Sequence, residues 1–159
     1  MAKSVFEGRY TTENDQDIVV FLIGMRVNKW HAVHKWLPVF MAMPAMIREL
    51  YQNKDLGLLS MESYFGLRTT VMIQYWQSTE DLHAYARGQK HLTAWRDFNK
   101  KVGDNEAVGI YHETYIVQKG DYETVYGNMP LYGLAKTRKQ VPVDSSLNSA
   151  KKRLNTKKA

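Results

Sequence analysis

Residues 58–76 read LLSMESYFGLRTTVMIQYW, and they carry two strand patterns separated by a short turn. Along residues 69–76, Val71, Ile73 and Tyr75 fall on one face and Thr70, Met72, Gln74 and Trp76 on the other. This period of two residues is the one expected of a β-strand. Gly66 opens the turn, so the stretch predicts a β-hairpin that joins a strand at 58–65 to a strand at 69–76. This hairpin places an antiparallel pair of strands at the middle of the chain.

A strand and a helix are predicted on each side of the hairpin. Residues 17–28 form an apolar, β-branched run that is typical of a buried strand. Residues 34–53 place apolar side chains at three- and four-residue spacing, which indicates a helix, and Pro44 is expected to kink or split it. Downstream, we expect a helix that starts at capping residues 78–81, a helix break at Gly88, a chain break at 103–105 and a last strand at 108–118.

The predicted order of elements is therefore β-α-β-β-α-β. This order defines an α+β, ferredoxin-like fold, with one four-stranded antiparallel sheet and helices on one of its faces. The other face carries apolar residues, and a large apolar surface usually has a partner. We therefore expect the sheet to pack against a second copy of the chain, so that the homodimer forms a dimeric α+β barrel.

The basic charge of the chain is confined to one end. From Lys136 onward the chain contains eight of its 22 Lys and Arg residues and only one of its 16 Asp and Glu residues. The body before Lys136 therefore has 14 basic and 15 acidic residues. No nucleic-acid partner is expected, because nucleic-acid binding usually needs a basic face on the folded body. The sequence predicts a polar, loosely ordered arm at 1–16, a ferredoxin-like domain at 17–134 and a basic, flexible tail at 135–159.

Composition excludes several classes of protein. The 159 residues suffice for one domain with a sizeable core, and the absence of cysteine rules out disulfides and thiolate ligands to a metal or haem. The longest apolar run, Ile18 to Met25, is too short to span a bilayer, and the N-terminus lacks the pattern of a secretory signal. We therefore expect a cytoplasmic protein with no membrane partner.

Two histidines in the second half of the chain are the main candidates for chemistry. His91 lies on the predicted helix in line with Trp95 and Phe98, on or beside the inward face. It is either a partly exposed histidine near a helix start or an axial ligand to iron. His112 lies inside the last predicted strand. It is either a core histidine bonded to a neighbouring carbonyl or a distal group that moves a proton near neutral pH.

Other candidates carry weaker signals. Ser60 and Ser63 lie among apolar residues of a predicted strand and could hydrogen-bond a ligand. The methionines, Met72 among them, suggest a pliable apolar pocket. His31 and His34 have a spacing that can bind a divalent metal, but no third ligand is obvious nearby. The sequence has no G-x-S-x-G, P-loop, G-x-G-x-x-G or H-E-x-x-H motif, so those mechanisms have no support.

Two motifs carry a resemblance to a known family. Residues 78–98 read STEDLHAYARGQKHLTAWRDF and residues 109–115 read GIYHETY. Together with the order of elements, they are similar to small monooxygenase-like proteins related to a fumagillin-pathway monooxygenase. More distantly, they resemble the C-terminal half of the haem-containing aldoxime dehydratases. The resemblance covers roughly residues 17–134.

The resemblance implies a site as well as a fold. In the dehydratases the helix histidine is the proximal haem ligand, and the strand histidine, also followed by glutamate, is the distal catalytic residue. The matching positions here are His91 and His112. Ser60 or Ser63 could stand for the distal serine of that family, whereas no position is matched to its distal arginine. The dehydratases contain two ferredoxin-like halves, so a dimer would have to replace the missing half.

Two functions remain open from the sequence. The first is a haem b enzyme, lyase or monooxygenase, in which His91 holds iron beside Trp95 and Met72. His112 would then move the proton as an N–O or C–O bond of a small, largely apolar substrate breaks or forms. The second is a cofactor-free monooxygenase, or a hydrophobic-ligand or haem-binding protein, of the same fold. Its ligand would lie against aromatic side chains, with Trp76, Trp95 and Tyr115 as candidates.

Overall fold

The computed structural model describes residues 4–102 and 106–154. The strands are β1 Phe6–Thr12, β2 Ile18–Val27, β3 Leu58–Phe65, β4 Thr69–Trp76, β5 Val108–Val117, β6 Tyr126–Met129 and β7 Gln140–Pro142. The helices are α1 Val33–Gln52, α2 Thr79–Ala86, α3 Gln89–Val102 and α4 Ala150–Leu154, with 3-10 turns at Lys54–Leu56 and Gly133–Lys136. The strands form a four-stranded sheet in the order β3-β4-β2-β5 and a three-stranded sheet in the order β6-β1-β7.

The four-stranded sheet confirms the ferredoxin-like α+β fold. Strand β2 lies at the centre and pairs antiparallel with both β4 and β5, while β3 and β4 form the predicted hairpin. The predicted capping residues also act as expected, because the Ser78 hydroxyl accepts a hydrogen bond from the backbone N–H of Asp81 at 3.1 Å. Gly88 separates α2 from α3, as the sequence predicts.

Helix α1 is continuous through Pro44. The helix runs from Val33 to Gln52 with both of its prolines inside, so Pro44 does not split it. Pro44 is exposed, where water can bond to the backbone carbonyl that a proline leaves unpaired. Among the residues that the structure describes, no helix is both long enough and apolar enough to cross a membrane. The predicted chain break at 103–105 lies outside the described residues.

The N-terminal arm is a strand, so the prediction that residues 1–16 are loosely ordered is wrong over the described part. Strand β1 is the central strand of the smaller sheet, and Tyr10, Thr11 and Thr12 are buried. The Thr11 hydroxyl donates to the Thr124 backbone carbonyl at 2.6 Å, and the Thr12 and Thr124 hydroxyls lie 2.8 Å apart. These partners are more than a hundred residues away in sequence, which is why local polarity suggested disorder.

The basic tail is also ordered over its described part, which corrects the prediction of a flexible segment at 135–159. Arg153 on α4 is buried, and its Nε donates to the Glu123 carboxylate at 2.5 Å. The backbone carbonyl of Arg153 accepts a hydrogen bond from Asn14 Nδ2 at 3.2 Å. A count of charges cannot reveal a partly buried ion pair of this kind. Residues 155–159 lie outside the described part.

The sheet face that points away from the helices is only partly open. At the β3 edge it is covered by the Gly133–Lys136 turn, whose Gly133 backbone carbonyl accepts a hydrogen bond from Ser60 Oγ at 2.8 Å. At the β5 edge Tyr111 and Tyr115 remain exposed. The homodimer expected from the sequence stays a prediction, and the β2–β5 side is the part of this face that remains for a partner.

Candidate functional site

The helices and the large sheet pack tightly at two ends and stand apart between them. At one end Val19 and the fully buried Trp76 pack with Leu50 of α1 and Leu82 of α2. At the other end Met25, Val27 and Val108 pack against side chains of α1 and α3, namely Trp36, Val39, Phe40 and Phe98. Between these clusters the sheet and helices enclose a cavity of about 1060 Å³.

Alternation along the strands decides which side chains line this cavity. Phe21, Ile23 and Met25 of β2 face it, and so do Met72 and Gln74 of β4 and Ile110, His112 and Thr114 of β5. Residues two apart in a strand share a face, and the register places Ile23 opposite both Met72 and His112. The opposite wall comes from α1, α2 and α3, and it includes Tyr85, His91 and Trp95. The cavity therefore has an apolar wall interrupted by a few polar groups.

His91 is the third residue of α3 and lies at the helix wall of the cavity. Its side chain is half-buried, and its Nδ1 is buried without a hydrogen-bond partner among the described residues. The Tyr85 ring meets it edge-on, with 5.6 Å between ring centroids. The Tyr85 hydroxyl is likewise buried without a partner, and burial, with a smaller contribution from Glu49, raises its pKa to about 12. Unpaired buried polar atoms are costly, so this corner offers hydrogen-bonding groups to a bound molecule.

His112 lies on the sheet wall of the same cavity. It is exposed, and its ring is tilted against Phe21 with 5.6 Å between ring centroids. The interpretation of His112 as a core histidine is therefore wrong, because its side chain points into the open space beneath the helices. The structure thus brings His91 and His112 to opposite walls of one cavity.

Glu113, which follows His112 in the motif, faces the other side of the sheet. There its carboxylate accepts a hydrogen bond from the Tyr115 hydroxyl at 2.6 Å. This hydrogen bond and the carboxylate charge raise the pKa of the Tyr115 hydroxyl. Glu113 and Tyr115 therefore do not line the cavity, and Tyr115 does not hold a ligand beside His112.

The two candidate serines lie on opposite faces of β3. Ser60 pairs with Tyr75 in the register and is buried against the Gly133–Lys136 turn, away from the cavity. This corrects the prediction of Ser60 as a catalytic residue, because its hydroxyl is used to hold the turn. Ser63 pairs with Met72 on the helix side and lines a smaller cavity of about 70 Å³ beside the large one. Of the two serines, Ser63 alone lies on the cavity side.

Met72 and Trp95, which the sequence analysis names as cofactor contacts, both line the large cavity, and their contact with a cofactor stays a prediction. Met72 is buried and borders both the large and the small cavity. Trp95 lines the large cavity, is about half exposed and stacks on Phe98 with 5.6 Å between ring centroids. Trp76, by contrast, is 0% exposed and belongs to the packed cluster at the end of the cavity. Trp76 is thus a core residue and not a ligand contact.

Sequence reasoning missed two polar groups of the cavity. Tyr85 carries no sequence signal, because a tyrosine on an amphipathic helix is ordinary and its unpaired hydroxyl is visible only in three dimensions. Gln74 is buried, and its side-chain oxygen accepts a hydrogen bond from Trp76 Nε1 at 3.0 Å. His31 and His34 are both exposed on the surface. Within residues 4–102 and 106–154, no group of three or more His, Asp or Glu side chains could hold a bare metal ion.

The fold and the cavity together define a ferredoxin-like protein with a largely apolar cavity between its sheet and its helices. The chain belongs to the monooxygenase af470-like family, whose sequence model matches residues 18–134. It is 30% identical over 121 residues to monooxygenase af470 of Aspergillus fumigatus, a match that covers 70% of this chain and 42% of that protein.

Solved structures of similar fold include aldoxime dehydratases. One, in complex with butyraldoxime, has a TM-score of 0.69 and 16% identity, covering 90% of this chain and 43% of that chain. A second aldoxime dehydratase has a TM-score of 0.69 and 16% identity, covering 91% of this chain and 46% of that chain. The identities are low, so the likeness concerns the fold. The chain spans less than half the length of each of these relatives.

Proposed function

We propose that this chain is a haem b-dependent enzyme that acts on a small, largely apolar substrate. His91 would be the axial ligand and His112 the distal acid or base. The observation that carries the proposal is that both histidines line one cavity of about 1060 Å³, from opposite walls. Such a pair suits catalysis, since one group can hold the reacting centre while the other transfers the proton.

The donor set of the cavity fits haem b. A porphyrin brings four nitrogens of its own, so the iron needs one further ligand from the protein rather than a cluster of carboxylates. His91 offers an imidazole at the helix wall, and its buried Nδ1 has no partner among the described residues. Trp95 and Met72 supply apolar surface for the macrocycle. When bound, haem would supply an iron centre able to coordinate a substrate nitrogen or oxygen.

His112 would handle the proton on the substrate side. Imidazole changes charge near neutral pH, so it can both donate and accept a proton during one turnover. The ring is exposed within the cavity and has Phe21 beside it. Glu113 lies on the other face of the sheet, so His112 would act without the adjacent carboxylate. The substrate is expected to lose or gain a proton at an N–O or C–O group.

A cofactor-free monooxygenase is the second candidate, and the family match supports monooxygenase chemistry without deciding on a cofactor. In that case Tyr85 and His91 would hold a polar group of an apolar ring, since each carries a buried polar atom with no hydrogen-bond partner among the residues that the structure describes. Trp95 would lie against the ring, and His112 would act as the base. A protein that binds a hydrophobic ligand or haem without turnover has the same requirements for its cavity.

We further propose that the chain forms a homodimer through the β2–β5 side of its large sheet. Tyr111 and Tyr115 are exposed there, and β5 is an edge strand of ten residues. Exposed tyrosines on a sheet face are typical of interfaces. The molar mass from light scattering at micromolar concentration tests this, and a monomer would contradict it. The substitution Tyr115→Glu should then shift the mass towards that of one chain.

Titration with haemin tests the haem proposal. The purified chain should develop a Soret band that saturates at one haemin per chain. His91→Ala should abolish the band because it removes the axial ligand. His34→Ala is the matched control, since His34 is also a helix histidine but is exposed on α1 away from the cavity lining.

Each outcome decides between the two candidates. A band that is lost only in His91→Ala supports the haem enzyme. A wild-type chain that develops no saturable band excludes that proposal and leaves the cofactor-free one. A band of equal strength in wild type and His91→Ala would show that haemin binds elsewhere, which would overturn the assignment of His91.

A further inference from the structure

The outer side of α1 is apolar although it does not face the cavity. Val33, Leu37 and Met41 follow one another at four-residue spacing, so they form one stripe along the helix, and all three are exposed. Trp30, just before the helix, is exposed as well, and its ring meets Trp36 edge-on. A surface helix of a monomeric protein normally turns polar residues to this side.

The β3–β4 turn extends this stripe into a larger surface. Phe65 is 69% exposed and Leu67 is 91% exposed. The Phe65 ring contacts Phe40 of α1, with 6.4 Å between ring centroids. Arg68, at the end of the turn, donates to the backbone carbonyl of Asn28 at 3.2 Å, which ties the turn to the loop that carries Trp30. We call this surface the α1 patch, formed by Trp30, Val33, Leu37, Met41, Phe65 and Leu67.

Basic side chains outnumber acidic ones around the α1 patch. Residues 18–48 contain four Lys and Arg residues and no Asp or Glu, and residues 63–79 contain Arg68 and no acidic residue. Of these, Arg48 and Arg68 are exposed, whereas Lys35 lines the cavity. Lys29 is paired with Glu106 at 2.9 Å, and both side chains are exposed. The patch is therefore apolar and aromatic with a basic surround.

We propose that the α1 patch docks on an anionic phospholipid surface. Aromatic and aliphatic side chains beside Lys and Arg are the composition of segments that lie in a membrane interface. A second copy of this chain fits less well, because a twofold pairing would bring the basic surround against itself. The proposal goes beyond the proposed function and does not depend on haem.

This surface changes one expectation from the sequence, namely that there is no membrane partner. That expectation rested on the absence of a spanning segment, whereas docking at the interface needs only a patch on the outside of a folded protein. The inner side of α1 lines the cavity through Val39, Ala42 and Met46. A single helix thus lies between the lipid-facing surface and the site, so an apolar substrate dissolved in the bilayer would have a short way to the cavity.

Co-sedimentation with vesicles tests the proposal. The full chain should bind vesicles of equimolar phosphatidylcholine and phosphatidylglycerol, bind phosphatidylcholine alone much more weakly, and lose binding as salt is added. Leu67→Glu and Met41→Glu should each weaken the partition by at least about tenfold, because each removes an apolar side chain from the lipid and adds a negative charge. Val125→Glu is the matched control, since Val125 is 50% exposed and lies outside the patch.

Leu67 and Met41 are exposed, so neither substitution should change the melting temperature. Failure of the wild-type chain to bind anionic vesicles overturns the proposal, and so does equal binding by the Leu67→Glu and Val125→Glu variants. Binding that is the same on phosphatidylcholine alone also overturns it, since the basic surround would then have no role. If Leu67→Glu dissociates a dimer and the wild type ignores vesicles, the patch belongs to a second copy instead.

Discussion

Replacement of His112 by alanine should cost little stability and much activity. The imidazole is exposed in the cavity, and its described ring contact is with Phe21 at 5.6 Å between centroids. Among the described residues His112 makes no buried hydrogen bond, so the free energy of unfolding should fall by less than about 1 kcal/mol. A core histidine with a carbonyl partner would instead cost about 1–3 kcal/mol on removal. The structure therefore predicts the lower value.

The expected loss of activity is much larger. A group that donates or accepts a proton in the transition state typically contributes about 10²–10⁴-fold in rate, which corresponds to about 3–5 kcal/mol of activation free energy. The assay is dehydration of an aliphatic aldoxime by the haemin-loaded protein, with urea unfolding of the same samples as the measure of stability. Thr114→Ala is the matched control, because Thr114 is two residues along the same strand face and also lines the cavity.

The two measurements together decide the role of His112. Turnover that survives in His112→Ala while the wild type is active would refute the role of distal acid or base. A loss of more than about 2 kcal/mol of unfolding free energy would show that the ring has a buried partner, against the exposure seen here. Equal loss of rate in Thr114→Ala would mean that the effect comes from the shape of the cavity and not from proton transfer.

Two further substitutions test polar groups that the sequence does not reveal, namely the Tyr85 hydroxyl and the Arg153 guanidinium. Tyr85→Phe removes a buried hydroxyl that has no partner in the part of the chain that the structure describes. It should therefore raise the free energy of unfolding of the ligand-free chain by about 1 kcal/mol in urea titrations and weaken the binding of any ligand that bonds to that hydroxyl. Tyr51→Phe, at an exposed position, should do neither. Arg153→Met leaves the Glu123 carboxylate without its ion pair, so the unfolding free energy should fall by about 1–3 kcal/mol in urea titrations. The nearby exposed Lys151→Met should cause no change. An Arg153→Met variant of unchanged stability would contradict the anchoring of the tail.

The elements of the ferredoxin-like sheet could be predicted because their signals are local. The hairpin at 58–76 shows period-two alternation on either side of a turn glycine, and the predicted strand bounds 58–65 and 69–76 coincide with β3 and β4. Strand β1 and helix α4 lack such signals, since their order depends on Thr124 and Glu123, which are distant in sequence. Hydrogen bonds between distant segments leave no periodic trace.

The serines show a limit of a different kind. Ser60 and Ser63 are three residues apart in one strand, so alternation alone sends them to opposite faces, and at most one could share a face with His112. Which one does so depends on the register against β4, which places Ser60 beside Tyr75 and Ser63 beside Met72. Tyr85 could not be found at all, because the sequence does not show that its hydroxyl lacks a partner.

The placement of His91 and His112 on facing walls follows from the different rise per residue of a helix and a strand. His91 lies eleven residues before Val102, the end of α3, which is a distance of about 17 Å along the helix axis at about 1.5 Å per residue. His112 lies four residues after Val108, the start of β5, which is a distance of about 13 Å along the strand at about 3.3 Å per residue. The two elements run in opposite directions from one connection, so both rings reach similar heights on facing walls. One residue inserted in α3 after His91 would shift that ring by about 1.5 Å and turn it by about 100° around the helix, enough to remove it from the cavity.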